Sequence, residues 1–239
     1  MEFSFLTYNI HKGIGNDRSY QLNRTIEVIR STDADFIMLQ EVDHHVPRSA
    51  NLDTAKVIAE EFGLHYGIGL NVKLKVGAYG NATFSRFPIL KKRNMDLTWG
   101  IKKARGVLIT SLETPAGIIN VWNYHLGLAG VERIWQVKKM LHSLHLRGEG
   151  SLPTIIVGDS NDRNHRLNPI FENVGFADTC RFTNLKTYPS YAPLWRLDKM
   201  YVSSHFSIRE HTVIRTKLSR VASDHLPVLT TLKLRTPDE

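Results

Sequence analysis

Thr154-Ile155-Ile156-Val157-Gly158-Asp159-Ser160-Asn161 is a short apolar run that stops on a glycine, a carboxylate and, two residues later, an amide. Its first four residues read as a buried strand. The clearest helix of the chain precedes it, over Val131–Leu146, with Ile134, Val137, Leu141 and Leu144 on one stripe. Before that helix, another apolar stretch, Ile118–Tyr124, ends at Asn123-Tyr124-His125. The first half of the chain repeats this order. Phe3–Asn9 reads as a strand, Leu22, Ile26 and Ile29 recur at helical spacing, and Asp35–Gln40 reads as a buried strand running into Glu41. Asn9 and Glu41 lie 32 residues apart, Asn123 and Asp159 lie 36 apart, and both second strands end in a carboxylate. Two strand–helix–strand units of this kind predict two sheets packed together with helices outside, and polar residues gathered at one edge where strands end.

The remaining segments fit the same plan. A second helix is expected over Leu52–Phe62, with Leu52, Ala55, Ile58, Ala59 and Phe62 forming its stripe. Strands are expected around His65–Gly69, Tyr79–Ser85, Ile89–Leu97, Arg105–Leu112, Leu197–Val202, Phe206–Val213 and Leu226–Leu234, with a hairpin turn at Thr114-Pro115-Ala116-Gly117. Glycines and prolines come singly and no stretch reads as a linker, so residues 1–239 form a single domain in this reading. A composition of 42% hydrophobic and 23% charged residues excludes a disordered or coiled-coil chain. Cys180 is the only cysteine, which excludes an internal disulfide and a four-thiolate zinc site. No apolar run reaches the roughly 18 residues of a membrane span. The opening Met1-Glu2-Phe3-Ser4-Phe5-Leu6 lacks the basic and long apolar regions of a signal peptide, so a cytoplasmic location is expected.

Tyr8-Asn9, Leu39-Gln40-Glu41, Val157-Gly158-Asp159 and Ser223-Asp224-His225 all place polar side chains beside apolar strands. Each alone reads equally as a polar turn. Together their carboxylates and amides are hard oxygen ligands suited to Mg²⁺, Mn²⁺ or Ca²⁺. Zinc fits less well, and His44 and His45 read as loop residues rather than zinc ligands. No serine or cysteine sits in a nucleophile elbow.

Six stretches carry a resemblance: Leu39-Gln40-Glu41-Val42, Gly80-Asn81-Ala82-Thr83-Phe84-Ser85-Arg86, Asn123-Tyr124-His125-Leu126, Gly158-Asp159-Ser160-Asn161, Arg196-Leu197-Asp198 and Ser223-Asp224-His225. Their kind and order are similar to those of the endonuclease/exonuclease/phosphatase superfamily, the group of deoxyribonuclease I and exonuclease III-type enzymes. The resemblance implies an α/β fold, a four-layer α/β/β/α sandwich of two packed mixed sheets flanked by helices. It implies Glu41 as the main ligand of Mg²⁺, assisted by Asn9 and Asp224. Asp159 orients or deprotonates water, Asn161 meets a phosphate oxygen, and Asp198 orients His225. His125 contacts the phosphate or protonates the leaving oxygen, and Asn81 and Arg86 fix the phosphate side of the cleft. Ser160 stands where many relatives carry an aromatic residue.

The net charge of +8, at a pI near 9.6, favours polyanionic partners. Lys91-Lys92-Arg93 and Lys102-Lys103-Ala104-Arg105 read as a polyanion path or, equally, as a solvated sheet edge. Trp195, in the aromatic run Tyr188–Trp195, is a stacking candidate or a core residue. His11, Arg48, Lys91, Lys102, Trp195 and Arg196 complete the groove candidates. The expected activity is metal-dependent phosphoester hydrolysis of DNA or RNA. An anionic lipid or phosphorylated metabolite is the alternative substrate, and a silent nucleic-acid-binding protein on the same fold is the non-enzymatic one. No required protein partner is evident.

Overall fold

The computed structural model describes residues 1–146, 151–181 and 185–235. Its strands are β1 (Glu2–Asn9), β2 (Phe36–His44), β3 (His65–Lys73), β4 (Ala78–Ser85), β5 (Ile89–Asp96), β6 (Gly106–Thr114), β7 (Gly117–His125), β8 (Thr154–Asp159), β9 (Ala177–Asp178), β10 (Asp198–Val202), β11 (Phe206–Val213) and β12 (Val228–Leu234). The helices are α1 (Leu22–Arg30), α2 (Thr54–Phe62), α3 (Gly130–Leu146), α4 (Asn168–Glu172) and α5 (Ser219–Ala222). Two six-stranded sheets form, in the orders β11-β12-β1-β2-β4-β3 and β5-β6-β7-β8-β10-β9. Among the described residues only β1–β2 and β7–β8 pair in parallel, and these are the two strand–helix–strand units expected from the repeat.

Side-chain alternation explains the four layers. Along β1, Phe3 and Phe5 face the other sheet while Leu6 and Tyr8 face α1 and α2. Along β2, Phe36 and Met38 point inward and Ile37 and Leu39 outward; along β8, Ile155 and Val157 point inward and Ile156 towards α3. Three apolar layers result, one between the sheets and one under the helices on either side. Helix α2 begins two residues later than expected. Asp53 accepts from the Lys56 N–H at 3.1 Å as its N-cap, so Leu52 precedes the helix and is exposed rather than part of its stripe.

The layer between the sheets changes character along its length. Inward positions at one end are Phe, Met, Ile, Leu and Val; towards the other end, the same alternation presents Thr7, Asn9, Gln40, Asn81, Thr83, Asn123, His125, Asp159 and Asp198, all buried. The transition is made by amides. Gln40 Nε2 donates to Asn123 Oδ1 at 2.8 Å and to Thr7 Oγ1 at 3.2 Å. Asn123 Nδ2 donates across the interface to the Leu39 and Ala82 carbonyls at 3.1 and 2.9 Å. Asn81 Nδ2 returns the contact to the Gly106 and Asn123 carbonyls at 3.0 and 2.9 Å. Replacing Asn123 by Ala removes the shortest Gln40 bond and the side-chain donor to two carbonyls in a dry interface, and a buried group left unpaired costs roughly 1–3 kcal/mol. Asn123→Ala should therefore lower unfolding free energy by about 3 kcal/mol or more in urea titration, with the slope of the transition unchanged.

Candidate active site

Strand register delivers the central side chains. His125, Asp159 and Asp198 stand side by side at the ends of β7, β8 and β10, because His125 pairs with Asp159 and Asp159 pairs with Asp198. Two carboxylates directly opposite each other repel. His225 resolves this conflict: its Nδ1 lies 2.9 Å from Asp198 Oδ2 and its Nε2 lies 3.6 Å from Asp159 Oδ2. Burial alone would push the His225 imidazolium down, but the Asp198 and Asp159 carboxylates override it and hold its pKa up at about 10. Burial pushes the Asp159 carboxyl the other way, up to about 6, against the pull of the His225 charge. His125 Nε2 approaches the same Asp159 oxygen at 3.4 Å. Burial, and then the neighbouring Arg105 charge, keep His125 well below its ordinary range, so it is neutral.

Asp159 is further fixed by Asn9 Nδ2, which donates to Oδ2 at 3.0 Å, and by the Asn161 N–H, which donates to Oδ1 at 3.0 Å. Asn161 adopts φ +51° and its Nδ2 donates to the Leu126 carbonyl at 2.9 Å. Gly158 precedes this turn at φ +146°, and a Cβ there would lie 1.9 Å from the Tyr124 carbonyl oxygen. Ser160 is wholly buried, with its Oγ donating to the Leu197 carbonyl at 2.6 Å; it packs the strand end and does not enter the cleft.

Glu41 reaches the site through an irregularity. Leu39 pairs with Ala82 but Val42 with Gly80, so β2 carries one residue more than β4 across this step. Regular alternation would turn Glu41 towards the helices. The bulge instead sends Val42 there and leaves Glu41, at φ +58°, as the extra residue. Burial opposes ionisation of Glu41, yet its pKa is held below the ordinary carboxylate value by the adjoining His125 ring and by the Lys12 ammonium, which is bonded directly to Oε2. Lys12, with φ +64°, belongs to the turn His11–Gly13 that follows Asn9, whose Oδ1 accepts the His11 N–H at 3.0 Å. Asp224 lies at the same rim, half-exposed, with Oδ1 3.9 Å from His11 Nδ1.

Several expected contributors stand elsewhere. Asn81 is buried with its amide hydrogens committed to two carbonyls, so it ties the sheets beneath the site and has none to offer a phosphate. Arg86 follows the last residue of β4, beside the start of β2, and pairs with Asp33 and Asp35 at the opposite end of the sandwich. Arg196 is buried in a two-pronged pair with Asp178, at 2.8 and 2.5 Å, so it is not a groove residue. Lys91 pairs with Ser111 on an edge strand, towards the end of the sheet remote from His125.

Other side chains do border the cleft. Lys102 lies on the loop leading into β6, whose first residue pairs with His125. Arg48 bonds to Asp43 at 2.8 and 2.7 Å, and Arg48, Lys12 and Lys103 all approach the Tyr79 ring, at 5.3, 5.9 and 5.4 Å. Trp195 is half-buried, stacked with Tyr188 at 6.3 Å and covered by the Arg163 guanidinium at 4.2 Å; Tyr188 in turn lies 4.8 Å from the His225 ring. Arg105 passed unnoticed in the sequence except as part of a basic run. It is only 6% exposed, joins no carboxylate among the described residues, and its buried Nε has no hydrogen-bond partner. Its position beside Gly106, the register partner of His125, was the signal that could have found it.

Comparison with known proteins rests on the whole of this architecture. The model of the Endonuclease/Exonuclease/phosphatase family matches residues 6–225. The chain belongs to that family. It is similar to the uncharacterized protein YbhP of Escherichia coli K12, at 30% identity, with 95% of each chain covered. Among solved structures it resembles the endonuclease/exonuclease/phosphatase of Beutenbergia cavernae, with a TM-score of 0.80 at 21% identity over 98% of this chain and 72% of that one. It also resembles the mannosyl-6-phosphatase Bt3783 of Bacteroides thetaiotaomicron, with a TM-score of 0.79 at 19% identity over 97% and 100%. Family membership and the clustered ligand-type side chains support a metal-dependent phosphoester hydrolase. Asp159, Asp198 and His225 bring one such atom each within 4.8 Å of the others. No described helix is long and apolar enough to cross a membrane.

The electrostatic assignment of His225 is directly measurable. Its ring should remain protonated through pH 8 in nitrogen-detected NMR titration, because its pKa is raised to about 10. Asp198→Asn removes the first of the two carboxylates, and His225 should then lose its proton below pH 8. A ring that titrates near its ordinary value in the unaltered protein would overturn the assignment.

Proposed function

We propose that the protein hydrolyses phosphodiesters of nucleic acid with the aid of a hard divalent cation. One observation carries the reading: an anionic base, a cationic imidazole and an arginine lacking a carboxylate partner converge in one buried cleft. Burying an isolated guanidinium costs several kcal/mol, which an anion bound in the cleft would offset. Two oxygens of a phosphate match the planar guanidinium fork of Arg105.

Glu41, Asn9 and Asp224 form an oxygen-only donor set, and the ionised Glu41 already holds a cation, the Lys12 ammonium, so the residues fit Mg²⁺. When bound there, the cation supplies Lewis-acid polarisation of a phosphoryl oxygen. The Asp159–Asp198–His225 group handles the proton: His225 is protonated and spans both carboxylates. Asp159 takes a proton from the attacking water, with Asn9 and Asn161 holding its orientation. The His225 imidazolium and Arg105 face the growing phosphoryl charge. His125, being neutral, suits hydrogen bonding to a phosphate oxygen better than protonation of the leaving group. Lys12, Arg48, Lys102, Lys103 and Arg163 add a cationic rim, and Tyr188 with Trp195 adds an aromatic shelf, the combination that holds a polynucleotide strand.

Three outcomes are expected. With Mg²⁺ saturating, kcat/KM should rise as Asp159 loses its proton near pH 6 and fall as His225 loses its own near pH 10. Full turnover in excess chelator after verified metal removal overturns the metal requirement. Asp198→Asn and His225→Ala should each cut turnover at least about a hundredfold, and the double variant by far less than the product of the two losses; Arg105→Met should also cost at least about a hundredfold. Finally, KM for long DNA or RNA should climb steeply with salt, and Lys102→Ser with Lys103→Ser should raise it more than KM for a small diester. Rapid hydrolysis of a lipid or sugar phosphate with DNA and RNA untouched leaves the hydrolytic chemistry standing and overturns the substrate class.

A further inference from the structure

A second set of ligand-type side chains lies outside the cleft, where residues 44–53 fold back on themselves. His44 ends β2 and bridges to Asp53, and the His45 N–H donates to the Leu52 carbonyl at 2.9 Å, so the backbone closes the loop beneath three side chains. One ligand atom from each of His44, His45 and Asp53 lies within 4.8 Å of the others. His44 Nδ1 stands 3.4 Å from Asp53 Oδ1, and it is buried without a hydrogen-bond partner. Two ligands held about 2.1 Å from a tetrahedral metal are themselves about 3.4 Å apart. His45 Nδ1 lies 2.9 Å from the Asn51 carbonyl oxygen. That contact places the ring proton on Nδ1, leaves the lone pair on Nε2, and is the outer-sphere partner that metal-bound histidines commonly have.

We propose that His44, His45 and Asp53 form a second metal site that takes a borderline divalent ion such as Zn²⁺, with water in the remaining position. Its two imidazoles distinguish it from the all-oxygen donors of the cleft, so the two sites select different ions. The metal staples the loop that carries Arg48, whose guanidinium reaches Asp43 and the Tyr79 ring at the cleft rim. The site's role is thus to brace the loop, and the hydrolytic chemistry proceeds elsewhere.

Two substitutions test the site while sparing the fold. Asp53→Asn keeps a residue that caps α2 equally well but removes the anionic ligand. His45→Ala alters an exposed side chain. The probe is Zn²⁺ titrated by calorimetry into the metal-free full chain with Mg²⁺ in excess, alongside Co²⁺, whose visible bands report tetrahedral nitrogen–oxygen ligation. A single Zn²⁺ per chain is expected, with its affinity weakened at least about tenfold by either substitution. Zn²⁺ should raise the melting temperature of the unaltered protein and not that of the variants. Glu41→Gln combined with Asp159→Asn should leave this binding in place, which separates it from any ion held in the cleft. Binding that survives Asp53→Asn and His45→Ala, that disappears with the cleft variant, or that is weaker than millimolar overturns the proposal and leaves His44 and Asp53 as an ion pair.

Discussion

The amides between the sheets set everything above them. Gln40, Asn123 and Asn81 bond across a space that is otherwise filled by apolar side chains, Gln40 to the Asn123 amide and the two asparagines to backbone carbonyls whose positions are fixed by sheet register. Apolar packing sets the sheet spacing only loosely, because many side-chain arrangements fill a volume. Hydrogen bonds near 2.9 Å between buried groups tolerate little sliding. The amide layer therefore fixes how β2 and β4 sit against β7, and with it the placement of Glu41 opposite His125 and Asp159.

Charge is arranged by the same economy. Two strands place Asp159 and Asp198 face to face, an arrangement that β pairing alone would reject. Inserting one protonated imidazole turns the repulsion into a chain of alternating charge. Because Asp159 lies between one cationic and one neutral histidine, its two histidines differ in protonation although both are buried. The environment, more than residue type, divides the chemical roles.

The layer order and the gathering of polar residues were legible in the sequence, because alternation and strand–helix–strand spacing survive folding unchanged. Asn9 and Asp159 were legible for the same reason, since each terminates a strand whose direction the apolar pattern reveals, whereas Asp198, the first residue of β10, and His225, just ahead of β12, came with the family resemblance. What escaped depended on long-range pairing. Asn81 sits in a polar strand stretch that looks like a site motif, but only its partners on β6 and β7 show its amide to be occupied. Arg86 lies five residues further along, and an extended strand carries it roughly 17 Å away, to the wrong end. Arg196 stands two residues before a site residue, where continued alternation would put both on one face, but it lies ahead of β10 and turns onto Asp178. Arg105 and Lys12 were hidden because one counted as part of a basic run and the other reaches Glu41 through a left-handed turn.

The bulge at Glu41 has a consequence for how the protein could vary. Deleting one residue between Leu39 and Val42 would restore an unbroken ladder between β2 and β4 and relieve a side-chain-bearing residue of positive φ. The sheet would be more regular, but only one residue would stand between Leu39 and Val42, so that inward position could hold the Gln40 amide or the carboxylate and not both. Local order and chemical competence thus pull in opposite directions at a single position. A descendant lineage that abandoned hydrolysis could drop this residue and keep the scaffold, making the length of β2 a marker that sorts working members of such a lineage from retired ones.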